Sequence, residues 1–274
     1  MFWSLFFIFL LYFTAPSLAV LVKGEVYGNL VGSSFASLPA WVSNWATVDK
    51  TLMSITDINK DGIIQLAEIV IGGDLVVLAT PEIAGLPYVI SGLVAAGGLA
   101  AALSTADGLL LTIANALSHD LYYKMIDPNA PTARRVTISK VLLLVVALGA
   151  AYVAAQKPAD ILFLVSAAFS LAAAAFFPAL VCGIFWKRAN KWGATLGMVS
   201  GLGITFYYMA TTQPWLRSLF GVTSSIADNT WWGISAISAG LWGVPLGFIV
   251  IIIVSLLTPA PDKETQELVE HVRY

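Results

Sequence analysis

Asp107 is the one charged residue in an otherwise uncharged and largely apolar run, residues 86–118. A charged side chain near the bilayer centre is costly, so such residues usually line an ion path or join a buried pair. Ser104 and Thr105 precede it, and their hydroxyls, with the carbonyl of Ala101, offer the oxygen ligands that hard cations prefer. We predict sodium bound by these three residues. Asp107 would be a second cation ligand or a proton acceptor on an adjacent face.

The same helix face allows a second interpretation, in which it serves packing alone. Small side chains let another helix approach closely, and hydroxyls form hydrogen bonds between helices. The carboxylate of Asp107 favours ion coordination, because packing does not require a charge. The small and polar positions that recur at helical spacing are Ala101, Ser104, Thr105, Gly108, Thr112 and Asn115.

The composition is typical of a membrane protein. Of the 274 residues, 58% are hydrophobic and 11% are charged, whereas a soluble domain has about 25% charged residues. Lysine and arginine are sparse and do not form a basic patch among aromatic residues, which argues against a nucleic-acid partner. Cys182 is the only cysteine, so no disulfide can form within the chain. The lipid bilayer is the expected partner.

Six stretches reach the ~20 apolar residues that a transmembrane helix needs. We predict an all-α polytopic membrane protein with a first helix in residues 1–22, an extracytoplasmic loop in 23–85, a five-helix transmembrane part in 86–257 and a cytoplasmic tail in 258–274. Basic residues follow the second and fourth spans, so those ends face the cytoplasm and the inner (plasma) membrane is the expected location. The predicted spans are Phe2–Val22, Leu86–Leu117, Val136–Ala155, Ile161–Trp186, Trp192–Thr212 and Trp231–Leu257.

Residues 1–20 also allow a signal peptide, since the apolar stretch ends in the small-residue sequence Ala-Pro-Ser-Leu-Ala. A signal peptide normally opens with positive charge. Lys23 is the first basic residue, so a membrane helix is the favoured interpretation. An internal helix of a longer protein would explain the uncharged start.

Residues 57–68 follow the twelve-residue EF-hand pattern at every diagnostic position, with Gly62 at the sharp turn. Apolar stripes on both sides predict two flanking helices. The pattern predicts a structural calcium ion with an affinity of about 0.1–1 mM, as in extracellular modules. A solvated acidic turn without metal is the alternative. The predicted calcium ligands are Asp57, Asn59, Asp61, the carbonyl of Ile63, Gln65 and bidentate Glu68.

The second span contains a segment that is similar to a known family. Residues 102–123, Ala-Leu-Ser-Thr-Ala-Asp-Gly-Leu-Leu-Leu-Thr-Ile-Ala-Asn-Ala-Leu-Ser-His-Asp-Leu-Tyr-Tyr, resemble the signature helix of the sodium:solute symporter family. The ending Ser-His-Asp-Leu-Tyr is most similar to its cation/acetate symporter-like branch. The turn Phe-Trp-Lys-Arg-Ala-Asn-Lys-Trp-Gly-Ala at 185–194 also resembles the family. The resemblance covers nearly the whole chain except the EF-hand-like segment.

The resemblance implies the second half of a five-plus-five inverted-repeat (LeuT-like) transporter. It matches Ala101, Ser104 and Thr105 to the sodium ligands of the eighth core helix. It also places Asp107 and Gly108 where some members hold a second sodium ion, although an aspartate departs from the commoner hydroxyl. Full members have about twice as many spans, as their repeat architecture requires.

We therefore expect the C-terminal portion of a sodium-coupled symporter for a small organic solute. The branch similarity implies acetate or another short monocarboxylate. A missing N-terminal half or a companion subunit would supply the other sodium ligands and much of the solute site. The 274-residue chain should then not transport by itself.

Two other classes of function are alternatives. A non-transporting membrane sensor or scaffold could read external calcium through the EF-hand-like loop, but the tail after Leu257 is short for an output domain. An intramembrane enzyme is disfavoured, because adjacent residues on a helix point about 100° apart. Ser118, His119 and Asp120 therefore cannot align as nucleophile, base and orienting group. We predict no catalytic site.

Overall fold

The computed structural model describes residues 2–271, and most of them are helical. Among these residues, five helices are long and apolar enough to cross a membrane. The chain is therefore an all-α polytopic membrane protein, with a small two-stranded sheet outside the long helices. The five are Phe2–Leu30, Tyr88–Ile126, Thr132–Ala155, Ile161–Phe185 and Ala236–Leu257. Met1 and residues 272–274, which the sequence assigns to the first span and the tail, lie outside the described residues.

Helices and strands are numbered along the chain. They are α1 (Phe2–Leu30), α2 (Ala40–Val48), β1 (Met53–Ile55), β2 (Ile69–Ile71), α3 (Val76–Ile83), α4 (Tyr88–Asn115), α5 (Thr132–Ala155), α6 (Ile161–Phe185), α7 (Lys191–Thr212), α8 (Pro214–Phe220), α9 (Ile226–Asn229), α10 (Gly240–Leu257) and α11 (Lys263–His271). A π-helix, Ala116–Ile126, continues α4 without a break. Short 3-10 turns lie at Phe35–Ser37, Leu66–Glu68, Trp231–Gly233 and Ala236–Ser238.

The first two predicted spans, Phe2–Val22 and Leu86–Leu117, are extended in the structure, because their helices run on to Leu30 and Ile126. The fifth and sixth spans differ more. The fifth, α7, is a helix, but its glycines and hydroxyl residues keep it outside the set that is apolar enough to cross a membrane. The sixth was expected to begin at Trp231. Its long helix begins instead at Gly240, because Trp232 and Gly233 have positive φ angles of 51° and 74° that end any helix there.

The chain divides into two compact units between Gln156 and Lys157. In the first, the end of α1 packs on the predicted extracytoplasmic loop, and β1 pairs with β2 in antiparallel register, Ser54 opposite Val70. The EF-hand-like segment thus joins two strands, and the prediction of two flanking helices is wrong. The β-branched and apolar residues on both sides pair better across a hairpin than they fill a helix. The buried core of this part is Val22, Val26, Leu30, Val42, Met53, Leu75 and Ala79.

The second unit is a tight bundle of α6, α7 and α10, in which glycines allow the close approach. A methyl group added at Gly197 would lie 2.2 Å from Cγ1 of Ile251. One added at Gly201 would lie 2.4 Å from the carbonyl oxygen of Ala174. Small residues bring membrane helices into contact in this way. The sequence interpretation of the glycines of α7 as a packing face is therefore consistent with these distances.

Candidate ion site on helix α4

The residues predicted to bind sodium lie on the middle of α4 and are exposed in this chain. The hydroxyl of Thr105 donates a hydrogen bond to the carbonyl oxygen of Ala101, at 3.1 Å. A matching pair lies seven residues on, where the hydroxyl of Thr112 donates to the carbonyl oxygen of Gly108 at 2.8 Å. Two threonines therefore point along one stripe of the helix.

These hydrogen bonds determine which donor and acceptor groups of the stripe remain available to a ligand. A hydroxyl has one donor and two acceptor lone pairs. Because Thr105 uses its donor within the helix, its lone pairs remain available on the outer side. A methyl group added at Gly108 would meet nothing within 4 Å. The stripe is thus an uncovered row of oxygen acceptors, which suits a cation better than an anion.

Asp107 lies outside this stripe, on the adjacent face of the helix. At about 100° per residue, it is rotated about 60° from Ser104 and about 160° from Thr105. No ion pair within residues 2–271 holds its carboxylate. The hydroxyl of Ser104 is therefore on the side of the helix nearer to the Asp107 carboxylate, and the hydroxyl of Thr105 points away from it. One helix can supply oxygen ligands to an ion from one side only.

The π-helix at the end of α4 carries a polar network around His119 and Asp120, and the sequence analysis did not identify its other members, Lys124, Tyr123 and Arg135. The carboxylate of Asp120 accepts a hydrogen bond from Lys124 at 3.1 Å and lies 3.0 Å from Nδ1 of His119. The guanidinium of Arg135 on α5 lies 3.4 Å from the ring centroid of Tyr123, a cation–π contact. The four-residue spacing of Asp120 and Lys124 was the available signal, since such pairs face each other on a helix.

Ser118 does not join that network. Its hydroxyl contacts the carbonyl oxygen of Asn115 at 3.5 Å, and the residue is buried. His119 and Asp120 are exposed. The three residues therefore do not assemble into the arrangement of a catalytic triad.

The EF-hand-like loop is closed by its own backbone. Both carboxylate oxygens of Glu68 accept N–H hydrogen bonds, from Ile58 at 2.8 Å and from Gln65 at 2.9 Å. Asp57 accepts N–H bonds from Lys60 at 2.6 Å and from Gly62 at 3.1 Å. Gly62, with φ of 74°, makes the sharp turn that the pattern predicts. The loop is ordered by hydrogen bonds that its backbone N–H groups donate to these carboxylates.

Asp61 completes the loop. The N–H of Ile63 donates to its carboxylate at 2.8 Å, and the side chains of Asn59 and Gln65 donate at 2.9 Å each. The bond from Ile63, followed by the two amides, lowers the pKa of the Asp61 carboxyl, because donors stabilise its charged form. All three interactions are within the loop.

The loop as folded does not support the calcium prediction. Within residues 2–271 no three His, Cys, Asp or Glu side chains are grouped to hold a metal ion. An EF-hand needs its last glutamate to turn both oxygens towards the ion. Both oxygens of Glu68 accept from backbone N–H groups instead, and the bond from Gln65 is that of a capping box at the short turn that starts at Leu66.

The sequence of this chain is similar to a known protein family and to individual symporters. Residues 68–201 match the sequence model of the sodium:solute symporter family. An uncharacterized symporter of Cupriavidus necator is 56% identical over 271 residues, which are 99% of this chain and 39% of that protein. The chain thus spans about two fifths of the length of this relative.

Two further relatives have solutes in their names. A sodium/proline symporter of Escherichia coli is 32% identical over 178 residues, which cover 65% of this chain and 31% of that protein. A monocarboxylic acid transporter of Corynebacterium glutamicum is 29% identical over 160 residues, 57% of this chain and 28% of that protein. No solved structure is significantly similar to this chain.

Proposed function

We propose, from the fact that this chain belongs to the sodium:solute symporter family, that it forms the C-terminal portion of a sodium-coupled secondary transporter for a small organic solute. Membrane location and a role in symport follow from the family and from the apolar helices. Its relatives are transporters, a class distinct from enzymes. The remaining ligands for sodium and solute would come from an N-terminal half or a companion subunit.

The observation that carries the proposal is the exposed row of oxygen acceptors on α4. The Thr105 hydroxyl is fixed by its bond to the carbonyl of Ala101, and Ser104 lies beside it on the helix. These groups would form one side of the sodium site. Transporters of the inverted-repeat class bind coupling ions near the bilayer midplane, between two repeats. One repeat of such a protein would supply the sodium ligands on one side of the ion, and a single long helix can carry them.

Asp107 and Gly108 would extend this site. Asp107 carries a charge that sodium or a proton can neutralise, and it adjoins Ser104 on the helix surface. An intramembrane carboxylate of this kind is expected to take part in ion coupling. Asp107 would therefore bind a second cation or accept a proton when solute is carried.

The solute would be a small carboxylate. The named relatives act on proline and on monocarboxylic acids, which share a carboxylate group. The Ser-His-Asp-Leu-Tyr sequence at the end of the α4 segment favours acetate or another short monocarboxylate. The protein would lie in the inner membrane with its basic ends in the cytoplasm.

The test replaces the matching segment of the Cupriavidus necator relative with this chain and reconstitutes the chimera in liposomes. Uptake of labelled acetate, pyruvate and proline is measured with and without an inward sodium gradient. We expect sodium-dependent uptake of a monocarboxylate, lost in Ser104→Ala. Uptake that is indifferent to sodium in a folded, active chimera would contradict the coupling. Robust uptake by the 274-residue chain alone would contradict the need for a second half.

A further inference from the structure

The segment between α7 and α10, residues 213–239, is nearly free of exposed charge. It contains two charged residues, Arg217 and Asp228. Arg217 is buried, and its guanidinium donates hydrogen bonds to the carbonyl oxygens of Thr211, Val222 and Ser224. Asp228 alone therefore presents a charge at its surface. We call residues 213–239 the α7–α10 segment.

The same segment exposes large apolar side chains. Leu219 is 62% exposed, Phe220 54% and Trp232 88%. An exposed apolar surface without charges marks a contact with another molecule or with a membrane. The loop on the other unit has the opposite character, since residues 57–68 contain four charged side chains, Asp57, Lys60, Asp61 and Glu68.

Trp232 is held outward by a buried tyrosine. The hydroxyl of Tyr208, a fully buried residue, accepts the N–H of Trp231 at 3.2 Å and donates to the carbonyl oxygen of Ile234. It thus joins both ends of the turn that contains Trp232. Trp232 has φ of 51°, a left-handed conformation that a non-glycine residue adopts only when its surroundings impose it. The exposure of this indole is therefore built into the turn.

The exposed ring of Trp232 belongs to a cluster of three tryptophans. The ring of Trp232 lies 5.1 Å from that of Trp242, which in turn lies 5.3 Å from that of Trp231. Trp242 belongs to α10, inside the candidate membrane span Ala236–Leu257. The exposed indole is therefore continuous with the surface of a helix that crosses the membrane.

Lys187, Arg188 and Lys191 lie at the other end of the bundle, whereas Lys157 and the buried Arg217 lie at the end of the α7–α10 segment, where Gln213 donates to the carbonyl oxygen of Pro158. The guanidinium of Arg188, just before α7, donates to the carbonyl oxygen of Thr258, just after α10, at 2.7 Å. Because α7 and α10 run in opposite directions, the α7–α10 segment lies a full helix length away from Arg188. By the distribution of basic residues this is the outward end.

We propose that the α7–α10 segment lies in the headgroup layer of the outer leaflet, with Trp232 as its anchor. Indole rings favour that layer, because one side of the ring is apolar and the N–H can reach water or lipid carbonyls. The lack of exposed charge, the apolar side chains of Leu219 and Phe220, and the pinned turn all suit a lipid surface. The segment would hold the outward ends of α7 and α10 at a constant depth.

The test uses the full 274-residue chain in vesicles of phosphatidylethanolamine and phosphatidylglycerol. Fluorescence is recorded with and without phospholipid brominated near the glycerol end of its acyl chains, and with aqueous iodide. The emission of Trp232 is obtained as the difference between the wild-type chain and Trp232→Phe. We expect brominated lipid to remove most of this difference emission and iodide to leave most of it. Trp45→Phe is the matched control, since Trp45 packs in the predicted extracytoplasmic loop, and its difference emission should not respond to brominated lipid.

Two outcomes would overturn the proposal. Quenching by iodide without quenching by brominated lipid would place Trp232 in water. Quenching by neither would show that protein covers it, including a second copy of the chain. If Trp232→Phe does not fold, Ile226→Cys in a Cys182→Ala background, labelled with an environment-sensitive dye, gives the same distinction through the same two quenchers.

Discussion

The hydroxyl of Thr105 donates to the carbonyl oxygen of Ala101 at 3.1 Å, so two residues predicted to bind sodium are bonded to each other. This bond orients the hydroxyl and leaves its lone pairs directed away from the helix. A threonine that serves packing alone could make the same bond, which is why the test must remove the oxygen and keep the shape.

We expect Thr105→Val, in the chimera described above, to raise the sodium concentration for half-maximal uptake by about tenfold, the change that 1.4 kcal/mol produces. Valine keeps the shape and loses the oxygen ligand. Thr105→Ser keeps the oxygen and should stay close to the parent protein. The measurement is initial uptake against sodium concentration. Equal sodium curves for both variants would assign Thr105 to packing.

Asp107→Asn should change the ion dependence of uptake. The substitution keeps size and removes the charge that a coupling ion would neutralise. The measurement is initial uptake at several sodium concentrations and several pH values. Asp120→Asn is the matched control, because Asp120 is exposed at the end of the same long helix and paired with Lys124. If both variants keep the parent's sodium and pH dependence, Asp107 has no part in coupling.

Gly201→Ala should destabilise the bundle of α6, α7 and α10. The added methyl group would lie 2.4 Å from the carbonyl oxygen of Ala174, a backbone atom that cannot rotate away. Overpacking of this kind costs about 1–3 kcal/mol. Thermal unfolding in detergent is followed by a thiol-reactive dye, since Cys182 is buried on α6.

Gly203→Ala is its control, because a methyl group there meets nothing within 4 Å. We expect it to unfold at or slightly above the temperature of the parent chain, since alanine is the better helix former. A Gly201→Ala variant as stable as Gly203→Ala would show that the helices are not as close as the structure has them.

Calcium should not change the hydrogen exchange of residues 57–68 in the full chain. Glu68 already gives both oxygens to the N–H groups of Ile58 and Gln65. Glu68→Ala should raise exchange in this loop, because the N–H groups of Ile58 and Gln65 would lose their acceptor, and this shows that the assay detects opening. Protection that increases with calcium, and is lost in Glu68→Ala, would restore the calcium prediction.

The loop around Asp61 should loosen in acid. The hydrogen bond from Ile63 holds the pKa of this carboxyl below that of an unfolded aspartate, so its contribution to stability is complete above the unfolded pKa and is lost as the pH falls through the lower folded pKa. The effect should be small, because Asp61 is exposed and solvent screens it. The measurement is the titration of the carboxyl by carbon NMR, assigned by comparison with Asp61→Asn. A carboxyl with a pKa equal to or above that of an aspartate in an unfolded peptide would contradict the hydrogen bonds donated to it.

The family and the fold class could be predicted from the sequence because they depend on local signals. Apolar runs of sufficient length must be helical in lipid, where each backbone N–H and C=O needs an internal partner. The stripe from Ala101 to Thr112 follows from helical periodicity alone, and the structure places it on one face as predicted. Gly62 was also identified, because its turn requires a positive φ.

The sequence did not reveal the elements that depend on distant partners. The EF-hand pattern suggested helices on both sides, and the strands β1 and β2 form because residues 53–55 and 69–71 pair with each other. The start of α10 at Gly240 depends on Tyr208, more than twenty residues earlier, which binds both ends of the Trp231–Ile234 turn. Neither pairing has a local signature.

The sequence by itself determined which residues could bind an ion, since hydroxyls, carbonyls and one carboxylate at helical spacing define the available chemistry. Tertiary structure decided how those groups are used. It committed the two oxygens of Glu68 to backbone N–H groups and turned Trp232 outward, while it left the acceptors of α4 uncovered. The physical reason is that a side chain's chemistry is local, whereas the partners that satisfy its hydrogen bonds are chosen by packing.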